Sequence, residues 1–547
     1  MYICNIVNDS IKINKNNMKH RFFSLILIVG VPYFTYAQAD DFPLGVPNEC
    51  TSITMGKKAT NDGSVRTSHT DDSHRTRTNV LAAPAKTYPQ GATMTLYKRS
   101  GCDTCEKMRT YRYDSIGTIP QVAKTYAYLN TAYPCINEKQ LAIGESTIGG
   151  RTELQSDNGL IDCQQLCTLL LERCATARQA ILTAGDLLKQ YGWIDAGECL
   201  TIADKNEVWH LEIYGAGKGN RGAVWAAQRV PDEHISVNAN ASTIKQIDTA
   251  NRDYFLYSDN LFSLALDSGW WKKDEQFLFC YAYAPQSRAL LAARRREWRV
   301  FDLLAPSLKL DPNTENYPFS VIPDSLVSLE TMMSVFKDYY EGTEYDMRKN
   351  LVVKGDSGKM LMSPLANPFM CVDELKLHRI NGGWHALGER AIAVRFTVYA
   401  TVIQCRDWLP DEIGGLVWLG LGNTATTLYV PIYNSVSKLP PRYETCGRQT
   451  GFSRDAAWWA FQHLGTLAGK RWGNMRQDIN NAWSPFQKEL IDNQAKIEAE
   501  ALKLYNPQKP AACINFLTKY TNEQADKTID KAWDLGDLLW TKYNGMW

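Results

Sequence analysis

The sequence carries no charge excess of either sign: 60 Lys and Arg stand against 59 Asp and Glu in 547 residues. That balance excludes a whole-chain field of the kind that draws nucleic acid or an anionic membrane, so recognition must be local. Only one long apolar run is present, Phe22 to Phe34, and it is too short to span a bilayer in a mature protein. No membrane or nucleic-acid partner is expected. Internal repeats and low-complexity tracts are also missing, which excludes solenoids and fibrous assemblies. Gly215, Gly217, Gly219 and Gly222 are not followed by a GK[ST] signature, which argues against a phosphate loop, and a glycine-rich hairpin is expected. Cys102 and Cys105 form a Cys-x-x-Cys without a second closely spaced pair, which argues against a zinc ribbon. No βαβ pattern surrounds them, which argues against a redox motif.

What is present begins at Met18. Lys19-His20-Arg21, the apolar run and Ala37-Gln38-Ala39 are the n-region, h-region and A-x-A site of a secretory signal. An exported protein, periplasmic or secreted, is therefore expected, with Met18 as its start. Residues 40–49, acidic and carrying two prolines, read as a short exposed propeptide between signal and fold. Export places the 14 cysteines in a compartment where disulfides are allowed. Cys163 and Cys167, one helical turn apart, should face the same way. They suit a structural disulfide or a buried thiol, and spacing does not fix the pairings. Sixteen Trp and 27 Tyr suit aromatic-lined clefts.

Along the chain, Thr51 to Met55 reads as a strand, Asn61-Asp62-Gly63-Ser64 as a turn and Val65 to His69 as the returning strand. A cysteine, Cys50, would then open the first hairpin. Residues 163 to 191 carry apolar residues at three- and four-residue spacing, which predicts one amphipathic helix. Val208 to Ile213 and Val224 to Ala227 predict strands, as do Ala391 to Gln404 and Leu416 to Tyr433. Ala456 to Leu467, Gln487 to Leu504 and Asn522 to Tyr543 predict helices. Strands and helices come in blocks, which favours an α+β fold over a doubly wound parallel sheet.

Taken alone, Cys50 reads more readily as a structural cysteine than as a catalytic one. Its surroundings add more. Cys50-Thr51-Ser52-Ile53-Thr54-Met55-Gly56-Lys57-Lys58-Ala59-Thr60-Asn61-Asp62-Gly63-Ser64 resembles the opening of the PepD-type dipeptidases. These are N-terminal-nucleophile cysteine peptidases related to bile salt hydrolases and penicillin V acylases. The resemblance continues through Asn137 to Glu145, Trp225 to Asp232, Glu341 to Asp346, Trp408 to Asp411 with Gly414-Gly415, and Phe452 to Trp459. Several long motifs in one order are more specific than any single one.

The resemblance implies a four-layer αββα sandwich over residues 50–480, with residues 481–547 a helical extension on the same domain. It implies hydrolysis of dipeptides through the Cys50 thiol, with no metal or organic cofactor. A thiol has a pKa of about 8.5 and reacts as thiolate, while an α-amine titrates at roughly 7.7–8.0. An N-terminal cysteine would carry both, and its amine could take the thiol proton and return it to the leaving group. That chemistry requires cleavage between Glu49 and Cys50.

Residue roles also follow from the resemblance. Asp72 matches an aspartate that orients the amine. Asn240, with Asn238 as rival, matches an oxyanion-hole asparagine, and Arg296, with Arg299 one turn away, matches an active-site arginine. His69 stands where relatives often carry arginine, and Arg66 is an alternative source of charge. No asparagine stands near Ser146-Thr147 for a second oxyanion donor. For binding, Glu145 could pair with a substrate ammonium, and an arginine could fork onto its carboxylate. From the residues alone, His69, Asp71, Asp72 and His74 could equally form a polar turn or hold a metal, Asn240 could be a turn residue, and Arg294 to Arg299 could be a solvated helix face. Two other functions stay open: an amidase of the bile salt hydrolase type, and an inactive, disulfide-rich exported binding protein. A homo-oligomer is compatible with all of these.

Overall fold

The computed structural model describes residues 49–103, 108, 110–370 and 390–546. The signal-like segment and residues 40–48 lie outside the described residues, as do Cys105 and the side chain of Cys102. The fold is mixed α+β and is built on two large sheets in which every neighbouring pair of strands is antiparallel.

The seven-stranded sheet runs Ser320–Val321, Ile235–Asn238, Glu49–Met55, Val65–Asp72, Thr397–Cys405, Leu416–Leu421 and Val430–Tyr433. The expected first hairpin is present, with Cys50 opposite Asp71 and Met55 opposite Arg66. Its turn forms because Asp62 Oδ1 accepts the Ser64 backbone N–H at 3.1 Å and Gly63 takes a left-handed φ of 79°. The Glu49–Met55 strand is buried on both faces beyond its first residue. The eight-stranded sheet runs Phe255–Tyr257, Ala223–Val230, Val208–Gly215, Glu198–Ala203, Ala142–Thr147, Ile136–Asn137, Tyr128–Asn130 and Leu81–Ala83. The glycine-rich segment is the hairpin between Val208–Gly215 and Ala223–Val230.

The two sheets meet across a partly polar seam. Ser52 Oγ donates to the Glu145 carbonyl at 2.9 Å, Thr54 Oγ1 lies 2.9 Å from His210 Nε2, and Thr67 Oγ1 lies 2.8 Å from Thr201 Oγ1. These pairs satisfy hydroxyls that would otherwise be buried without partners. Cys163–Arg173 and Ala177–Tyr191 pack on the eight-stranded side. Ala457–Ala468 and the long Ala511–Lys542 helix pack on each other and on the seven-stranded sheet. No helix among the described residues is long and apolar enough to cross a membrane.

Several sequence expectations need correction. The single helix expected over 163–191 is two, because Thr176 caps the second by accepting the Gln179 N–H, while Asn137 Nδ2 donates at 2.8 Å to the freed carbonyls of Leu171 and Cys174. Leu416 to Tyr433 is two strands joined by a loop, and the preceding strand starts at Thr397 rather than Ala391. The helix expected from Gln487 begins at Trp472 and passes through Pro485. Interior proline costs about 3 kcal/mol; here Trp472, Met475, Ile479, Trp483, Phe486 and Leu490 form a buried stripe at helical spacing that offsets it. Each cysteine whose side chain is described is a buried free thiol, and Cys163 and Cys167 share one face and interact.

Gly144 lets the two sheets approach closely: a Cβ there would lie 2.3 Å from the Ser68 carbonyl of the facing sheet and 2.5 Å from Thr201 Oγ1 on the neighbouring strand. Gly144→Ala must push the seam apart beside Glu145. A loss of roughly 1–3 kcal/mol of stability is expected in urea denaturation, and an unchanged midpoint would show that the seam yields freely.

Candidate active site

Cys50 is the second residue of a central strand, 6% exposed. Its Sγ donates to Glu145 Oε2 at 3.3 Å, and the same oxygen lies 3.1 Å from His69 Nε2. His69 is in turn 3.2 Å from the Tyr399 hydroxyl through Nδ1, and its ring meets Tyr133 and Tyr399 edge-on. Glu145 thus stands between thiol and imidazole. Burial alone would raise its pKa, but the hydrogen bond and charge of His69 hold it below the ordinary carboxylate value.

Behind it lies a second carboxyl that the sequence analysis missed. Thr147 Oγ1 is 3.2 Å from Glu145 Oε1 and 2.9 Å from Glu198 Oε1. One hydroxyl has one proton, so it cannot donate to both carboxylates at once. Burial, then the Glu145 charge, push Glu198 well up. The consistent arrangement is a protonated Glu198 donating to Thr147, and Thr147 donating to ionised Glu145. A signal for Glu198 did exist: it shares a strand face with Leu200 and Ile202, where a solvated acid has no place.

The backbone of Cys50 faces positive charge. Arg296, fully buried on helix Leu291–Leu304, donates through Nη1 to the Cys50 carbonyl at 2.7 Å and to Thr51 Oγ1 at 3.0 Å. Its Nη2 donates to Asn240 Oδ1 at 2.9 Å, to the Ala239 carbonyl at 3.0 Å and to Glu49 Oε2 at 2.6 Å. Arg294, Arg295 and Arg299 are buried as well, which excludes a solvated helix face. Arg299 belongs to a different pairing, bonded to Asp338 and Asp302.

Asn240 holds a left-handed φ of 67°, a conformation asparagine tolerates. Its Oδ1 accepts the Cys50 N–H at 3.0 Å, and its Nδ2 donates to the Thr147 carbonyl at 2.7 Å. Asn238 donates locally to the Ala241 carbonyl. Asp72 is near but differently engaged: Arg390 Nη2 donates to it at 2.5 Å, Thr397 Oγ1 at 2.7 Å and Thr70 Oγ1 at 3.1 Å. With Glu49 attached, the Cys50 N–H donates to Asn240 Oδ1, and one of the two Asn240 amide N–H groups is engaged by the Thr147 carbonyl.

His69, Asp71 and Asp72 lie in a buried strand, so the polar-turn alternative fails, and His74 stacks on Phe396 at 4.2 Å. Arg66 lies at the opposite end of that strand, bonded to Asp62. Arg390, also missed, is 1% exposed; its Nε is 3.3 Å from Glu49 Oε2. No local pattern announces it. Among the described residues, Cys50, His69 and Glu145, and likewise Glu145, Cys163 and Glu198, lie close enough together to hold a metal ion. The direct thiol–carboxylate–imidazole contacts of the first group equally serve proton transfer. In this chain burial, then Glu145, Asp71 and Asp72, push the Cys50 thiol well above its ordinary value, so it is held neutral.

The sequence model of peptidase family C69 matches residues 49–485, starting one residue before this thiol. The chain belongs to peptidase family C69. It is a peptide hydrolase, consistent with a cysteine-type site. A protein named probable dipeptidase from Latilactobacillus sakei is 25% identical over 507 residues, covering 89% of this chain and 93% of that relative. A probable dipeptidase B of Streptococcus pyogenes serotype M1 is 21% identical over 490 residues, covering 88% and 91%. One from Lactococcus lactis subsp. lactis is 24% identical over 402 residues, covering 72% and 76%.

Asp71, opposite Cys50, has its carboxyl pushed up to about 6 by burial, against the pull of His69 and of the Thr76 hydroxyl. Its folded value lies above its unfolded one, so stability is full below about pH 4 and is lost as pH rises through about 6. The loss amounts to about 3 kcal/mol. Asp71→Asn removes this dependence. Denaturation at acid and neutral pH should show the variant gaining on the wild type by about that amount at neutral pH; an equal difference at both would contradict the assignment.

Proposed function

We propose that this C69 peptidase is an exported cysteine dipeptidase whose nucleophile is Cys50, unmasked as a new N-terminus by cleavage after Glu49. The observation that carries the proposal is the double anchoring of one residue: the Cys50 thiol on Glu145 at 3.3 Å and the Cys50 nitrogen on Asn240 at 3.0 Å. The similarity to proteins named probable dipeptidases supplies the substrate class. The helices packed outside two face-to-face sheets are in keeping with the αββα sandwich of N-terminal-nucleophile hydrolases.

In the uncleaved chain the nitrogen is an amide and cannot act as a base. The thiol can add to the Glu49 carbonyl, the C–N bond breaks as the nitrogen takes a proton, and water hydrolyses the resulting thioester, releasing the propeptide carboxylate. The freed amine, still held by Asn240, then takes the thiol proton and later passes it to the leaving amine of the substrate. Glu145, with His69 behind it, accepts from the thiol in the precursor and faces the substrate ammonium in the mature enzyme. Arg296 fixes the Cys50 carbonyl and the Asn240 side chain, keeping thiol and amine in register. Export and a periplasmic or secreted location rest on the segment from Met18 to Ala39.

Intact mass and N-terminal sequencing of the purified protein should read Cys50 first, with unblocked dipeptides hydrolysed. Cys50→Ala should lose at least ~10³-fold in turnover and, if processing is self-catalysed, retain the residues ahead of position 50. An active enzyme with Glu49 still attached would refute the proposal.

A further inference from the structure

Two guanidiniums and two carboxyl groups meet beside the Cys50 nitrogen: buried Arg296, Arg390 and Asp72, and half-buried Glu49. Two positive and two negative charges balance. The Glu49 carboxylate bridges the two guanidiniums, 2.6 Å from Arg296 Nη2 and 3.3 Å from Arg390 Nε through the same oxygen. We propose that Arg390, with Arg296, forms the subsite for the C-terminal carboxylate of the substrate, and that Glu49 fills this subsite until the propeptide leaves. The inference rests on the dipeptidase reading above and deepens it.

Charge and reach both favour it. Removing Glu49 takes one carboxylate away from the two guanidiniums, and the carboxylate of a substrate would restore it. Arg296 keeps five further acceptors: the carbonyls of Cys50, Ala239 and Ala292, Thr51 Oγ1 and Asn240 Oδ1. Arg390 keeps the Asp72 contact but loses the carboxylate on its Nε.

The Glu49 oxygen is tied to the Cys50 nitrogen through a short chain, 2.6 Å to Arg296 Nη2, 2.9 Å on to Asn240 Oδ1 and 3.0 Å back to the nitrogen. A dipeptide must bring its scissile nitrogen within one hydrogen bond of the same atom to receive a proton. Its carboxyl carbon then lies two bonds further on, about 2.5 Å. A longer peptide has another peptide bond in place of that anion, so the subsite selects for a free carboxylate one residue after the scissile bond.

The test uses the full chain, matured and checked by mass for a Cys50 N-terminus. A dipeptide that the wild type cleaves is compared with the same dipeptide amidated at its C-terminus. The wild type should favour the free acid by ~10²-fold in kcat/KM. Arg390→Gln should lower kcat/KM for the acid by ~10²-fold, mainly through KM, and leave the amide within ~3-fold. Arg390→Lys should retain part of the preference. Acid and amide lost in parallel would mean that Arg390 only supports the fold, and would overturn the subsite. A second measurement needs no variant: the free C-terminal amino acid should inhibit the wild type at least ~10-fold more strongly than its amide, and equal inhibition would also overturn the proposal. A wild type that keeps Glu49 and cleaves no dipeptide would refute the dipeptidase reading itself, a different outcome from an active enzyme indifferent to the carboxylate.

Discussion

Charges taken out of water must be compensated where they sit, and the end of the Glu49–Met55 strand is where this chain concentrates them. Around one thiol it buries two arginines, a histidine and at least four carboxyl groups. None of these could be tolerated singly. Arg296 and Arg390 repel each other, and burial with that repulsion lowers the Arg296 pKa to about 10. Glu49 and Asp72 neutralise the pair. Glu145 is paired with the His69 ring, and burial with the Glu145 charge pushes the Glu198 carboxyl well up. The geometry of the site is largely the solution to that compensation.

The network has a sense of direction. The side chain of Cys50 meets carboxylate, and its backbone meets guanidinium and amide. A dipeptide is itself a short dipole, with an ammonium at one end and a carboxylate at the other, so a thiol between regions of opposite charge suits it. On the proposed processing, the same arrangement keeps the uncleaved chain silent. Burial and neighbouring carboxylates keep the thiol protonated, the nitrogen is tied up as an amide, and Glu49 sits on the arginines. On the proposed processing, breaking one peptide bond changes the last two of these together.

Legibility in the sequence followed the range of the interaction. The first hairpin was readable because the Asn61 to Ser64 turn signal is local, and Cys50 was singled out by its position at the start of that hairpin. The double helix over 163–191 was not, since the side chain that closes the first helix belongs to Asn137 in another strand. The Trp472–Asp492 helix was truncated because Pro485 is a local breaker, while the buried stripe that overrides it depends on packing. Arg390 had no local signature at all. Its partners, Glu49 and Asp72, are more than 300 residues away in the chain.

By itself the sequence determined the chemical inventory: a cysteine opening a strand, acids and arginines in apolar segments, balanced overall charge, and motifs similar to one peptidase family. Tertiary structure alone decided the pairings. It set the Cys50 N–H on Asn240, turned Asp72 toward Arg390, placed Glu145 between thiol and imidazole, and set Glu198 beside it. The reason is physical. Residue type fixes which groups cannot be buried alone, but which partner relieves each one depends on how two sheets stack, and that is settled by long-range packing.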